Sequence, residues 1–163
     1  MKTDRSIVWI LAFVFFCICL WPNGAAAARN KVMDIDPKGV EELSDRDECP
    51  IIISIVTSRC GACRQELPVY QKMYEKYGNE GFGIFVVGID FGNSEEIQAM
   101  VDRMNLTYPV YWGGERVMRA FDISFVPYKI VMQNGRVVER IIGAWSEKEI
   151  TEKIKNLIEG CDR

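Results

Sequence analysis

The chain has 163 residues, six of them cysteine and none histidine, and a formal net charge of −3. That length supports one domain with a substantial core rather than two. The slight acidity speaks against a nucleic-acid partner, and the lack of histidine removes imidazole base catalysis and the commonest metal ligand.

Lys2 and Arg5 precede an almost wholly apolar run, Ile7 to Trp21, followed by Pro22-Asn23-Gly24 and four alanines, Ala25 to Ala28. This is the layout of a secretory signal: a basic start, an apolar middle and a small-residue cleavage site. The run is shorter than the roughly 20 residues of a spanning helix. Residues 1–28 are therefore expected to be a cleaved signal peptide, with a retained membrane anchor as the alternative, and residues 29–163 a single domain. Neither Cys17 nor Cys19 follows a small residue, which argues against a lipoprotein. Cleavage discards both and leaves Cys49, Cys60, Cys63 and Cys161. An even count behind an export signal fits an oxidising, periplasmic or otherwise extracytoplasmic compartment.

In the mature chain, Val32, Met33 and Ile35 suit a short edge strand. Asp36-Pro37 reads as a helix start, with Asp as N-cap and Pro in the first turn. Asp45 to Glu48 reads as a solvated turn. Cys49-Pro50 opens a continuous apolar run to Val56, the pattern of a central strand buried on both faces. The run leads into Cys60-Gly61-Ala62-Cys63 and a helix from Cys63 to about Tyr77, which Pro68 inside it is expected to kink. Two cysteines three apart at a strand-to-helix junction suggest dithiol–disulfide chemistry. A helix N-terminus stabilises a thiolate, which makes Cys60 the attacking nucleophile and Cys63 the resolving thiol. The competing readings are an inert disulfide or half of a zinc site, and zinc would need two further ligands.

Gly83 to Ile89 is a second buried strand, Asp90 to Asn93 a turn, and Ser94 the expected cap of an amphipathic helix through Met104. Tyr108 to Trp112 reads as a short extended piece and Glu115 to Phe121 as a short helix. Asn134-Gly135 between two apolar runs, Lys129 to Met132 and Val137 to Ile142, is a strong hairpin signal. Ser146 and Glu149 form a capping box for a last helix that runs to about Glu159. The order β, α, β, α, β, α, hairpin, α predicts an α/β fold, with a central mixed sheet, a C-terminal antiparallel hairpin and helices on both faces.

This order, with Cys60 and Cys63 as the CxxC, Pro68 five residues after the second cysteine, Val126-Pro127 just before the hairpin and Gly143 after its last strand, resembles the thioredoxin fold. More narrowly, it resembles the secreted TlpA/ResA-like thiol–disulfide oxidoreductases. The resemblance covers roughly Val32 to Glu159. It implies a cis peptide at Val126-Pro127, facing the CxxC and presenting backbone groups to an extended substrate. Arg59, Gly61 and Ala62 flank the cysteines, with Arg59 either a solvated charge or one that lowers the Cys60 pKa and favours the thiolate. The resemblance points to Asp90, otherwise a turn or cap residue, as the nearest counterpart of a buried acid that serves the second cysteine. It also brings Cys49 and Cys161 to the pole opposite the CxxC, where they either form a structural disulfide or remain a buried thiol and a frayed end.

The sequence departs from the family pattern in several places. Arg59 replaces the usual Trp, Gly61-Ala62 lacks the usual Pro, Tyr128 replaces Thr, and Ser54 stands where thioredoxin has a buried Asp. What the resemblance implies is a reductase of protein disulfides needing no cofactor or metal. It would be fed by a membrane thiol-electron donor, act as a monomer, and have apocytochrome c as a candidate substrate through cytochrome c maturation. The alternative is a non-catalytic peptide-binding module whose CxxC disulfide stays closed.

Overall fold

A computed structural model describes residues 30–161. The signal-like stretch lies outside the described residues. Six strands form one sheet in the order β1-β4-β3-β2-β5-β6, with β1 Met33–Asp34, β2 Ile51–Val56, β3 Gly83–Gly88, β4 Val110–Trp112, β5 Tyr128–Gln133 and β6 Arg136–Ile142. The strands β1, β4, β3 and β2 run parallel, β5 is antiparallel to β2, and β6 is antiparallel to β5. The helices are α1 Pro37–Glu42, α2 Gly61–Tyr77, α3 Glu95–Met104, α4 Gly114–Ala120 and α5 Glu147–Glu159. The predicted mixed sheet with a terminal hairpin is the observed architecture. No helix among the described residues is long and apolar enough to cross a membrane.

Alternation along the central strands sorts the core into two layers, because successive side chains point to opposite faces. Ile52, Val56, Ile84 and Val86 pack with α2, α3 and α5 through Leu67, Tyr70, Ile97, Met100, Ile150 and Ile154. Ile51, Ile53, Ile55, Phe85 and Val87 pack on the other face, under Val40, Leu43 and Val117. All residues of β2 and β3 are buried, as continuous apolar runs require.

The caps explain where the helices begin. Asp36 accepts from the Gly39 N–H at 2.7 Å, with Pro37 in the first turn of α1. Ser146 and Glu149 form both halves of a capping box on α5. The expected Ser94 cap on α3 is not made. Ser94 already has helical backbone angles, so its hydroxyl is not aimed back at the first turn, and Asn93 Oδ1 accepts from the Glu95 N–H at 3.0 Å instead.

One close approach sets the position of α3. A Cβ built on Gly88, at the end of β3, would lie 2.5 Å from Ile97 Cγ1. The missing side chain lets the start of α3 sit directly on the end of the sheet.

Candidate active site

The end of β2 delivers the chain through Thr57, Ser58 and Arg59 to α2. Cys60 is the N-cap of that helix, with extended backbone angles, and its Sγ accepts from the Cys63 N–H at 3.0 Å. The Cys63 N–H and the positive end of the helix dipole therefore meet at the Cys60 sulfur. Cys60 is half-buried, whereas Cys63 is fully buried, and a disulfide joins them. Gly61 is exposed, with open space where a Cβ would stand, and Ala62 is half-buried. The motif thus offers one accessible sulfur and one protected sulfur.

The Val126–Pro127 peptide is cis. Val126 and Cys60 both pack at the margin of the core layer beneath α2. Pro127 is buried and its carbonyl accepts from the Gly143 N–H at 2.9 Å. The N–H and C=O of Val126 have no hydrogen-bond partner among the described residues. Phe125 beside it is 67 % exposed. Backbone groups left open in this way can pair with an extended peptide.

Two ionic networks flank the cysteines. The outer one centres on Ser58, whose N–H donates to both carboxylate oxygens of Asp90 at 3.0 Å, and whose hydroxyl lies within hydrogen-bond reach of Asp90 and of Glu96. Asp90 is buried, so its carboxylate ties the loop before Cys60 to the end of β3. Among the described residues, every hydrogen bond to that carboxylate comes from Ser58, and none comes from a cysteine. Arg59 donates to Glu96 through Nη2 at 2.6 Å and Nε at 3.2 Å. This pairing holds the Glu96 carboxyl below the usual carboxylate range, with the Ser58 hydroxyl adding to the effect, and holds the Arg59 guanidinium above its ordinary value. The charge of Arg59 is therefore shared with Glu96 rather than aimed undiluted at Cys60.

The inner network is Glu66 and Lys129, which sequence reasoning missed. Glu66 lies one turn beyond Cys63 on α2 and is 1 % exposed, and Lys129 in β5 is fully buried. Lys129 Nζ donates to Glu66 Oε1 at 2.7 Å and to the Gly143 carbonyl at 2.5 Å, and sits 4.6 Å from the ring centroid of Trp145. The Trp145 backbone N–H also donates to Glu66 Oε1, at 2.5 Å, while Glu66 Oε2 has no partner among the described residues. Burial pulls the Lys129 ammonium below its ordinary pKa, with Glu66 opposing the shift. Tyr70, one turn further along α2, is pushed well above the ordinary tyrosine value, first by burial and then by the nearby charge of Glu66. The signal for Glu66 was present in the sequence: an acid sits on the helix face that otherwise reads Cys63, Leu67 and Tyr70. Lys129 is likewise a charge inside an otherwise apolar strand.

At the opposite pole a second disulfide joins Cys49 and Cys161, 112 residues apart in sequence. It ties the approach to β2 to the end of α5, and Asn134 in the hairpin turn donates its N–H toward Cys49 Sγ.

Comparison with known proteins fits this geometry. Residues 24–142 match the model of the AhpC/TSA family. The chain belongs to that family. Among its relatives, ResA of Bacillus anthracis, a thiol-disulfide oxidoreductase, is 23% identical over 82% of this chain and 78% of its own. The thioredoxin-like protein YneN of Bacillus subtilis (strain 168) is 22% identical over 69% of this chain and 67% of its own. A thiol:disulfide interchange protein of the thioredoxin family from Chlorobium tepidum TLS superposes with a TM-score of 0.62 at 19% identity, covering 82% of this chain and 99% of its own. A thioredoxin-like protein from Porphyromonas gingivalis gives 0.60 at 26% identity, covering 72% and 81%. The fold is thioredoxin-like, and the relatives are of the TlpA/ResA kind that the motifs resemble.

Proposed function

We propose that this chain is an extracytoplasmic thiol–disulfide oxidoreductase, a reductase of protein disulfides that works through Cys60 and Cys63. The observation that carries the reading is the asymmetry of the two sulfurs at one helix N-terminus: Cys60 half-buried and bonded to the Cys63 N–H, Cys63 wholly buried. The Cys60 thiolate attacks one sulfur of a substrate disulfide. That bond breaks, a substrate thiolate leaves and takes up a proton, and a mixed disulfide on Cys60 remains. Cys63 then attacks Cys60 Sγ, closes the Cys60–Cys63 disulfide and releases the second substrate thiol. Two electrons pass from the dithiol to the substrate, and no cofactor is required.

Cys63 must lose a proton to perform the second step, and burial disfavours its thiolate. Glu66 is the acceptor that the geometry supports best. It lies one turn away in the same layer with one uncommitted oxygen, whereas both oxygens of Asp90 are occupied by Ser58. Val126 and Pro127 hold the substrate segment beside the sulfur. The signal-like residues 1–28 support export, and a membrane thiol carrier is the electron source such a location would need. Apocytochrome c is one candidate substrate.

Trapping tests the reading. Cys63→Ser should accumulate mixed disulfides through Cys60 in the native compartment, and Cys60→Ser should accumulate none. If neither variant alters the reduction of insulin disulfides, and the Cys60–Cys63 bond resists reduction by thiol carriers, the peptide-binding alternative replaces this reading.

A further inference from the structure

Beside Cys60 a surface groove is lined by Ser58, Arg59, Arg64, Glu96 and Arg103. A second hollow, which shares Arg59 and Glu96, continues it to Phe91, a side chain 70 % exposed. Three guanidinium groups thus line the groove against one carboxylate, Glu96, which is already paired with Arg59, and Asp90, bound by Ser58, adds a second carboxylate in the continuing hollow. Arg64 lies one turn into α2 from Cys60, and Arg103 stands on the same face of α3 as Glu96. Neither makes an ion pair among the described residues. Asp102, next to Arg103 in sequence, accepts from Gln98 Nε2 at 3.0 Å instead. The groove therefore carries surplus positive charge on a chain whose formal net charge is −3.

From this we infer that the groove selects protein substrates that carry an acidic side chain near the reacting cysteine, with Arg64 and Arg103 as the specificity-determining pair. The inference rests on the oxidoreductase reading and adds the class of segment that reading lacks. The Cys60 sulfur is fixed at the mouth of α2, so a bound disulfide has to lie beside it. A chain extended along Val126 places its flanking residues over either the cis-proline side or the arginine side. On the arginine side, a carboxylate meets two unpaired planar guanidinium groups suited to bidentate hydrogen bonds. Phe91 offers an apolar contact at the far end. Charge of this kind acts on encounter and register more than on tight binding, so the preference belongs in kcat/KM and weakens with salt.

The test uses the reduced full chain and three symmetrical peptide disulfides that differ only at the residues flanking cysteine, which are Glu, Gln or Lys. At low ionic strength the Glu peptide should be reduced about fivefold faster than the Gln peptide in kcat/KM, the scale of an exposed ion pair. The Lys peptide should be slower than both. Raising the salt to about 0.5 M should compress the three rates together. Arg64→Gln with Arg103→Gln should erase the order, and Arg64→Glu with Arg103→Glu should reverse it. Equal rates for Glu and Gln peptides, or an order that survives the charge reversal, overturn the inference and leave the oxidoreductase reading standing. Failure of the wild-type chain to reduce any of the three overturns both.

Discussion

The two disulfides sit at opposite poles and are the same covalent bond set in different surroundings. Cys60–Cys63 closes a four-residue loop at a helix N-terminus, with one accessible sulfur, a buried acid one turn away and an open backbone edge at Val126. Cys49–Cys161 spans 112 residues and clamps the approach to β2 against the end of α5, with the hairpin turn packed beside it. Loop length separates what the two can contribute to stability, and the neighbouring groups separate what they can do chemically. A long closed loop restricts the unfolded chain strongly, whereas a four-residue loop restricts it little. Of the two, the short bridge has the helix N-terminus and the half-exposed cysteine that favour a nucleophilic sulfur on the proposed reading.

The comparison can be broken most directly by exchanging roles. Cys60→Ser should abolish disulfide exchange, whereas Cys49→Ser with Cys161→Ser should leave its rate unchanged in an insulin-reduction assay at a temperature where both variants are folded. In chemical denaturation the ranking should invert. Removing Cys49–Cys161 should cost up to about 4–5 kcal/mol, and opening Cys60–Cys63 only about 2 kcal/mol, on the chain-entropy scale. Lys129→Met should destabilise by about 3–5 kcal/mol, because it leaves the Glu66 carboxylate buried without its counter-charge. Lys129→Met together with Glu66→Leu should recover most of that loss but not the exchange rate near neutral pH, if Glu66 takes the proton from Cys63.

The smallest effect belongs to the far pole. Ser146→Ala removes half of the capping box on α5, the helix that ends two residues before Cys161, and should cost about 1 kcal/mol without touching exchange. Its pH dependence has a definite sign. The backbone and side-chain hydrogen bonds of Ser146 hold Glu149 below the usual carboxylate range. That contribution is fully present above the ordinary glutamate value of about 4.3 and disappears as the pH falls through the depressed one. Alanine keeps the backbone N–H and loses only the hydroxyl, so the difference between wild type and Ser146→Ala in urea denaturation should be largest at neutral pH and shrink in strong acid to what the hydroxyl contributes by accepting from the Glu149 N–H.

Features that act locally were legible in the sequence. The buried character of β2 and β3, the hairpin at Asn134-Gly135, the Ser146–Glu149 box and the CxxC at a helix start each follow from neighbouring residues. The site's polar partners were harder to read. Arg59 and Glu96 are 37 residues apart, Ser58 and Asp90 32, and Glu66 and Lys129 63, so nothing local pairs them. Glu66 and Lys129 do announce themselves as charges on apolar faces, and a charge in such a place needs a partner because burial is otherwise too costly. The Ser94 cap failed for a local reason, since Asn93 competes for the same first turn.

Gly88 carries no chemistry and lies on a strand, yet it governs how far Glu96 can reach. Its bare α-carbon lets Ile97 rest on the strand, and Ile97 follows Glu96 in α3. A methyl group there would lift the helix and draw the carboxylate away from Ser58 and Arg59. The charge balance beside the reactive sulfur is thus written partly in a contact between two apolar surfaces, one layer beneath the residues that carry it.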